Sequence, residues 1–191
     1  MESSRCDWCG NLPIYINYHD QEWGVPEYES RALWEKLVLD GFQAGLSWLT
    51  ILKKRDAFRT AFEGFNPEKV ASFSETDVLR LLGDSGIVRH RGKIEAAITG
   101  AQAWIKMEEK QGFGQFMWDY VGGTPLVNRF ATMAEVPPSS GLSVRISKDL
   151  KAAGFKFCGP TIVYAWMEAT GLINDHLTNC HRHEEVKQFV R

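Results

Sequence analysis

The chain has 191 residues, of which 44% are hydrophobic and 24% are charged, and its formal net charge is −2. This length suits one globular domain, and the composition is that of an ordinary soluble protein. No apolar run approaches the roughly 20 residues that span a bilayer, and the N-terminal residues contain no signal-peptide core. We therefore expect a cytoplasmic protein without a membrane partner.

The near-neutral charge excludes a globally basic nucleic-acid-binding surface, so any DNA contact must come from local clusters. Two such clusters are present, at residues 53–55 and 89–93. The chain contains four cysteines. In a reducing compartment these favour thiols or metal ligands over disulfides.

Helical periodicity dominates the chain, and no segment alternates with period two for long enough to predict a sheet. Residues 1–29 show no sustained period and predict an extended but anchored segment. Ser30 is the expected N-cap of the first helix, and Ser74 with Asp77 forms a capping box. Asn66-Pro67 opens a short helix. The predicted helices span residues 31–40, 46–62, 67–70, 75–82, 91–111, 113–121, 143–153 and 161–170, and the longest irregular connection is 124–142. The fold class is therefore all-α.

The most unusual stretch is Leu39–Trp48, at the end of the first predicted helix. It combines a carboxylate, two glycines, an amide, a small hydroxyl and a tryptophan where a packing helix would carry Leu or Ala. Gly41 and Gly45 each weaken a helix by about 1 kcal/mol relative to Ala, so they favour a bend or a close backbone approach. One interpretation is an ordinary helix–turn–helix joint with a core tryptophan. The other places Asp40 and Trp48 on one pocket across the bend.

Cysteine and histidine residues near the two ends of the chain predict a metal site. Cys6 and His19 lie near the N-terminus. His176 and Cys180 are four residues apart, so one helical turn would align them. Two thiolates and two imidazoles form the closed tetrahedral set of a structural zinc, which would tie the two ends together. A C-x-x-C pair that begins at Cys6, and further histidines after Cys180, leave other ligand sets open; unmetallated thiols are the alternative.

Segment 79–94 combines a helix, a glycine-containing hairpin and a second helix. Gly86 lets the hairpin backbone approach a phosphate closely, and the next helix N-terminus offers free N–H groups. Arg89, Arg91 and Lys93 would add charge-assisted contacts to the DNA backbone. The alternative is an αα-hairpin with a solvated basic face.

Four aromatic residues surround His19 in the sequence: Trp8, Tyr15, Tyr18 and Trp23. Beside a metal site, they would wall a pocket for a flat ligand. Equally, they would form the core that the metal holds together, which is the more common use of such rings.

Five ordered motifs, taken together, resemble the 3-methyladenine DNA glycosylase I family of bacterial alkylation-repair enzymes. They cover nearly the whole chain and are Tyr18–Pro26, Gln43–Trp48, Gly86–Ile94, Gly154–Phe157 and Gly171–His176. The resemblance implies one domain over residues 1–191 with the two-lobed helix-hairpin-helix glycosylase fold. It also implies a cleft between the two lobes and a helix-hairpin-helix at about residues 76–106.

The resemblance also implies residue roles. One structural zinc is held by Cys6, His19, His176 and Cys180, leaving Cys9 and Cys158 outside its shell. The base-recognising carboxylate is Asp40, at a position where the family pattern has Glu. The base-binding aromatic residues are Trp8, Tyr18, Trp23 and Trp48. The residues that wedge into the space left by the flipped nucleotide are Gly45 and Leu46, and further DNA contacts come from Gly86, Arg89, Arg91 and Lys93.

The implied activity is hydrolysis of the N-glycosidic bond of 3-methyladenine in double-stranded alkylated DNA, which releases the free base and leaves an abasic site. An ionised Asp40 would accept hydrogen bonds from the exocyclic amine of the cationic base. We expect no lyase step, because no lysine is visible in an activating context beside Asp40. We also expect a monomer, because long hydrophobic heptads are absent. The alternatives are a zinc-stapled, non-enzymatic DNA-binding module and a glycosylase for another damaged base.

Overall fold

The computed structural model describes residues 4–191, which form a mainly helical protein. The helices are α1 (Pro13–Gln21), α2 (Ser30–Gln43), α3 (Trp48–Ala61), α4 (Pro67–Ala71), α5 (Glu75–Gly83), α6 (Arg91–Glu108), α7 (Phe113–Asp119), α8 (Gly141–Ala153), α9 (Pro160–Ala169) and α10 (Arg182–Glu185). Short 3-10 turns occupy Asp7–Cys9, Glu63–Phe65, Met133–Glu135 and Val186–Phe189. No helix within residues 4–191 is long and apolar enough to cross a membrane.

The prediction of a helical fold is confirmed, with one small exception. Strand β1 (Leu126–Val127) pairs in parallel with β2 (Ile173–Asn174). The first of these strands lies in the connection that the sequence predicts to be irregular. A pairing of two residues is too short to leave an alternating pattern, so the sequence gives no sign of it.

Within residues 1–29, the prediction of an extended segment is wrong for residues 7–21, whereas residues 25–29 have no regular secondary structure; residues 1–3 lie outside the described range. Asp7–Cys9 forms a 3-10 turn, and α1 is a nine-residue helix. Pro13 occupies the first turn of α1, where its missing N–H costs nothing. That proline was the available start signal, but the weak amphipathic pattern of the segment hid the helix.

Helix α2 lies at the centre of the fold, where it packs against α3, α6, α7 and α9. Its inward face follows the helical period and buries Leu33, Trp34, Leu37, Leu39 and Phe42. Trp166 of α9 is fully buried beside it and donates its indole N–H to the Leu33 carbonyl at 3.0 Å. Because packing fixes the rings of Trp34 and Trp166, α2 holds the polar side chains near its C-terminal end in fixed positions.

The structure corrects both ends of α2. The N-cap is Glu29, whose carboxylate accepts from the Ala32 N–H at 2.6 Å, whereas Ser30 is inside the helix. The Ser30 hydroxyl instead accepts from the Gly114 N–H at 2.9 Å. The helix also continues past Asp40 to Gln43.

The two glycines of the Leu39–Trp48 stretch serve the two purposes that their weak helix propensity predicts. Gly41 lies within α2, and a Cβ at this position would be 3.3 Å from the Phe157 carbonyl oxygen, so Gly41 permits a close backbone approach. Gly45 has a φ of +80° and makes the bend. Ser47 then caps α3 by accepting from the Thr50 N–H, so α3 begins at Trp48 rather than at Leu46.

Candidate active site and metal site

A cavity of about 190 Å³ opens beside the C-terminal end of α2. Asp40 of α2 and Trp48, the first residue of α3, both line it, so the prediction that they face one pocket is confirmed. The other lining residues are Trp8, Tyr18, Trp23, Lys36, Gln43, Met133, Ala165, Glu168 and Ala169. Pockets for drug-sized ligands typically enclose about 300–1,000 Å³, so this cavity suits a smaller ligand, such as one flat ring system.

The four predicted aromatic residues surround the cavity in edge-to-face and tilted contacts. Trp8 meets Trp23 at 5.1 Å and Tyr18 at 6.2 Å, and Tyr18 meets Trp48 at 5.4 Å between ring centroids. Tyr15 packs edge-on against Trp8 from behind and does not line the cavity. The aromatic cluster therefore forms both a pocket wall and a small core.

Three polar atoms at the cavity have no hydrogen-bond partner. Among the described residues, the buried side-chain atoms in this state include Trp8 Nε1, Trp48 Nε1 and Asp40 Oδ2, all from cavity-lining residues. Buried polar groups are nearly always satisfied, so such a cluster indicates a place where a ligand completes the hydrogen bonding. The residues that line the cavity thus hold two unpartnered donors and one unpartnered acceptor.

Lys36 lies one helical turn before Asp40, and its ammonium donates to Asp40 Oδ1 at 2.6 Å. Asp40 is 2% exposed, and this burial raises the pKa of its carboxyl group, an effect that the Lys36 charge opposes. Burial lowers the pKa of Lys36 in turn, against the attraction of Asp40. Sequence reasoning missed Lys36, although its i,i+4 spacing to Asp40 was a usable signal. The structure thus places a buried lysine with a lowered pKa beside Asp40, where the sequence shows no lysine in an activating context.

Glu168 of α9 is a second carboxyl group at the cavity that the sequence did not single out. Burial raises its pKa well above the ordinary value, and Asp175 raises it further. Asp175 itself accepts from the Tyr164 hydroxyl at 2.6 Å and from the Asn128 amide at 2.7 Å. The arrangement favours a neutral Glu168 beside the Lys36–Asp40 pair.

The four predicted metal ligands meet at one buried point. The ligand atoms of Cys6, His19, His176 and Cys180 all lie within 4.8 Å of one another. Cys180 Sγ is 3.5 Å from His19 Nε2 and 3.6 Å from His176 Nδ1, and Cys6 Sγ is 3.7 Å from His176 Nδ1. Zinc bonds of about 2.3 Å to sulfur and 2.0–2.1 Å to nitrogen, arranged tetrahedrally, hold S and N atoms roughly 3.5 Å apart. The donor set therefore fits a metal ion of this kind.

The predicted helical turn between His176 and Cys180 is wrong, because this segment is a turn outside the helices. The Cys180 N–H bonds to the Leu177 carbonyl at 2.8 Å, and this tight turn brings the two ligands together. Hydrogen bonding from Cys6, and then from the two histidines, lowers the pKa of Cys180. One thiolate is thus favoured at the cluster even before a cation is considered.

Hydrogen bonds behind the ligands orient both imidazole rings. His19 Nδ1 is 2.7 Å from Asp20 Oδ1, and Asp20 is paired with Arg5. His176 Nε2 is 3.0 Å from the Trp23 carbonyl oxygen. Such partners fix the ring nitrogen that faces a metal. A Cβ on Gly24 would lie 2.7 Å from His176 Nε2, so only glycine fits beside this ring.

The metal cluster and the cavity share residues. Trp8 lies two residues after Cys6, Tyr18 directly precedes His19, and the Trp23 ring packs edge-on against His176 with centroids 4.5 Å apart. A distinct buried cluster contains Cys6, Tyr18, Trp23, Leu52, Leu177 and Cys180. Whatever holds the four ligands together therefore also positions the cavity wall.

The predicted hairpin lies between α5 and α6, and the Ser74–Asp77 capping box before it is confirmed. Arg89 and Arg91 are exposed at its end, but Arg91 is shared between Glu75 at 2.9 Å and Glu95 at 3.3 Å. The Gly86 N–H donates to Asp84 Oδ1 at 2.7 Å rather than pointing freely outward. Lys54, part of the other basic cluster, donates to the Ser85 carbonyl at 2.8 Å.

Lys93 differs from its predicted use as a surface cation. It is 6% exposed, and its ammonium donates to the Phe42 carbonyl at 2.9 Å and to the Ala44 carbonyl at 2.6 Å. These carbonyls are at the C-terminal end of α2, where helix carbonyls lack intrahelical partners. Lys93 therefore connects α6 to the bend that follows Asp40.

We expect Lys93→Met to lower the free energy of unfolding by about 1–3 kcal/mol, because two buried carbonyls lose a charged donor. Urea unfolding measures this change. The salt dependence of duplex binding should stay the same, since a lysine used internally neutralises no phosphate. A shallower salt dependence of duplex binding with unchanged stability would instead show that Lys93 contacts a phosphate, as the sequence predicts.

The bend itself is exposed. Gly45, Leu46 and Ser47 form its outer side, and Leu46 is 43% exposed although it is apolar. Through Lys93 this bend is held against the start of α6, close to the hairpin. Leu46 is therefore an exposed apolar residue two positions before Trp48, which lines the cavity.

The fold and the site define a helical protein with a small aromatic-walled cavity, a buried carboxylate in it and an adjoining Cys2His2 cluster suited to a metal ion. Comparison with known proteins then narrows this class. The sequence pattern of the methyladenine glycosylase family matches residues 8–183. This match covers most of the chain, and the chain belongs to that family.

Named relatives agree with this assignment. The chain is 50% identical to DNA-3-methyladenine glycosylase 1 of Escherichia coli, over 92% of this chain and 95% of that protein. It is 45% identical to DNA-3-methyladenine glycosylase of Haemophilus influenzae, over 93% and 97% of the two chains. A solved 3-methyladenine DNA glycosylase I variant in complex with 3-methyladenine superposes with a TM-score of 0.90 at 42% identity, covering 93% of this chain and 96% of that one.

Proposed function

We propose that this chain releases 3-methyladenine from alkylated double-stranded DNA by hydrolysing the N-glycosidic bond, with the base held in the cavity between Trp48 and Asp40. The observation that carries the proposal is the set of three unpartnered polar atoms in an aromatic cavity of base size. A non-enzymatic DNA-binding module would have no use for a buried carboxylate with an unpartnered oxygen at the wall of such a cavity. The relatives are named for 3-methyladenine, and such a base fits the donors, the acceptor and the aromatic walls of the cavity.

Methylation at N3 gives adenine a positive charge, and the cavity is suited to such a ring. Asp40 supplies an ionic acceptor for the exocyclic amine, and a charge-assisted hydrogen bond is roughly twice as strong as a neutral one. The Trp48 face adds a cation–π contact worth about 0.5–2 kcal/mol, depending on desolvation. Trp8 and Tyr18 complete the wall. Neutral adenine gains neither ionic contribution, so the cavity discriminates by charge.

Bond cleavage needs little acid catalysis from the protein. When the C1′–N9 bond breaks, its electron pair goes to the base, which leaves as a neutral molecule, and the positive charge passes to the sugar. Water then adds at C1′ and loses a proton, which leaves an abasic site. Asp40 and the aromatic walls act by holding the cation in place while this bond lengthens.

We assign zinc to the Cys6, His19, His176 and Cys180 cluster, as one structural ion. Two sulfur and two nitrogen donors are the set that zinc favours, and a fully protein-ligated site leaves no position for a reacting water. When bound, the ion supplies folding stability rather than chemistry. The ligand residues position Trp8, Tyr18 and Trp23 at the cavity, so the metal acts on base recognition through them.

We assign the DNA-facing side to the bend and the helix-hairpin-helix, in a two-lobed monomer. Gly45 and Leu46 would enter the space left by the flipped nucleotide, and Arg89 and Arg91 would contact the backbone beside Gly86. The ion pairs of Arg91 with Glu75 and Glu95 must then be exchanged for phosphate. Lys93 would hold the bend that carries Leu46 through its bonds to the Phe42 and Ala44 carbonyls, and would not contact the DNA.

The test is release of free base from methylated duplex DNA by purified protein, followed by chromatography. We expect 3-methyladenine as the released base and none from uracil-containing duplex. Release of uracil alone would favour the glycosylase for another damaged base. Binding of both duplexes without release of either base would favour the non-enzymatic module.

A further inference from the structure

The Lys36 ammonium occupies the place that a cationic base would take. Its Nζ lies 3.8 Å from the centroid of the Trp48 ring and 2.6 Å from Asp40 Oδ1. An aromatic face and a carboxylate are the same two contacts that the cavity would offer to a methylated adenine. In the free protein, therefore, the chain's own cation contacts the Trp48 ring face and one oxygen of Asp40, while Asp40 Oδ2 stays without a partner.

Lys36 also has a second place to go. Its side chain also lines a second cavity of about 280 Å³, which shares Tyr18 with the first cavity and is also lined by Glu22 and Glu35. These carboxylates are paired with Arg55 and Arg59. An ammonium that leaves Asp40 can therefore turn toward other acidic groups without becoming unpaired in an apolar core.

We propose, on the basis of the proposed function, that Lys36 is a charge-sensing competitor for the base site: it yields Asp40 to a cationic base and reclaims it from the neutral base that cleavage leaves. Before cleavage the substrate brings its own positive charge, so Asp40 exchanges one cation for another. After cleavage the electron pair of the C1′–N9 bond has neutralised the ring. The product then no longer matches the carboxylate, and the ammonium returns and displaces it.

Other ionisable groups lie near the Lys36–Asp40 pair, and their titration also contributes to any measured pH dependence. They are Tyr18 of α1, Glu22 after that helix, Arg55 of α3 and Glu168 of α9. Burial lowers the pKa of Lys36, so its amine loses the proton at lower pH than an exposed lysine does. Competition by Lys36 must weaken as the pH rises through that pKa, because a neutral amine no longer pairs with Asp40.

The test is inhibition of excision by free 3-methyladenine at mildly alkaline pH, where the free base is neutral. In Lys36→Met the inhibition constant should fall about tenfold, the equivalent of removing one charge-assisted competitor. The ratio of single-turnover rate to steady-state turnover should rise because the product leaves more slowly. Lys36→Arg, which keeps the cation, should stay near wild type, as should Lys69→Met, which removes an exposed lysine paired with Glu63.

The pH dependence supplies an independent readout. In the wild type the inhibitor should bind more tightly from neutral to alkaline pH, and this trend should be absent in Lys36→Met. An inhibition constant in Lys36→Met equal to or above that of the wild type would overturn the proposal, since a merely structural lysine would weaken the site when removed. Wild-type protein that releases no 3-methyladenine would instead overturn the proposed function.

A measurement on the unmodified protein avoids any folding defect of the variants. The side-chain NMR signal of Lys36 in lysine-labelled protein should move when the permanently cationic 3,9-dimethyladeninium ion is added, because the ammonium leaves Asp40 and Trp48. Neutral 9-methyladenine at the same concentration should leave it in place. A Lys36 signal that stays fixed while the cation saturates the cavity would contradict displacement.

Discussion

Asp40→Asn should lower the single-turnover rate of 3-methyladenine excision by about a hundredfold, the usual cost of removing one electrostatic contact from a catalytic site. The amide keeps nearly the same volume but has no charge to oppose the cationic base. Its NH2 group, moreover, can face the exocyclic amine with a donor where an acceptor is needed. Lys36 would also lose the negative charge of its 2.6 Å partner and remain as an uncompensated cation beside the base.

Duplex affinity is the control for this variant. Asp40 is buried, whereas the bend after it and the hairpin are exposed, so binding to undamaged duplex should not change. Asp40→Glu should retain most of the rate because it retains the carboxylate. Asp56→Asn makes the same chemical change at a residue on the surface of α3 and should behave as the wild type. Single-turnover excision that is unaffected in Asp40→Asn would remove Asp40 from the mechanism.

Loss of the metal ligands should have the largest effect on stability. Cys6→Ala and His176→Ala each break a four-ligand set that joins the two ends of the chain. We expect both variants to lose the bound metal and on the order of 5 kcal/mol of folding free energy, since metal binding at such sites is coupled to folding. Excision should fall with it, because Trp23 packs directly on His176.

Metal content by mass spectrometry and thermal unfolding measure the two parts of this prediction. Cys9→Ala is the matched control: Cys9 is also buried, but its thiol bonds only to the Gly10 carbonyl and is outside the four-ligand cluster. It should keep the metal. Full metal retention in Cys6→Ala and His176→Ala, together with loss in Cys9→Ala, would show that the ligand set is wrong.

Much of the helical framework could be predicted because its boundaries carry local chemistry. The Ser74–Asp77 capping box, Asn66-Pro67, and Gly154 after α8 each act through backbone groups within a few residues. The structure has a helix boundary at each of these signals. Helix α1 was missed because its residues serve the cavity and the metal cluster, so they do not follow an amphipathic period.

The site could be predicted only in part. The Cys2His2 set and the placement of Asp40 and Trp48 at one pocket could be predicted because these residue types are unusual at their positions in the sequence. Lys36 and Lys93 looked like ordinary surface cations, since a lysine in a helix is normally solvated. Only tertiary packing shows that one occupies the cavity and the other holds the bend. Glu168 likewise lines the cavity from α9. It is so far from Asp40 in the sequence that no periodic pattern could link the two residues.

Binding of the base in the cavity bounded by Asp40 and Trp48 can be observed directly by indole NMR. Titration with free 3-methyladenine should shift the indole N–H signals of Trp8 and Trp48, whose donors are unpartnered in the cavity. The signals of Trp118 and Trp166, which donate to the Glu27 and Leu33 carbonyls, should stay in place. Saturable shifts at Trp118 or Trp166 with none at Trp8 and Trp48 would place the base elsewhere and contradict the account.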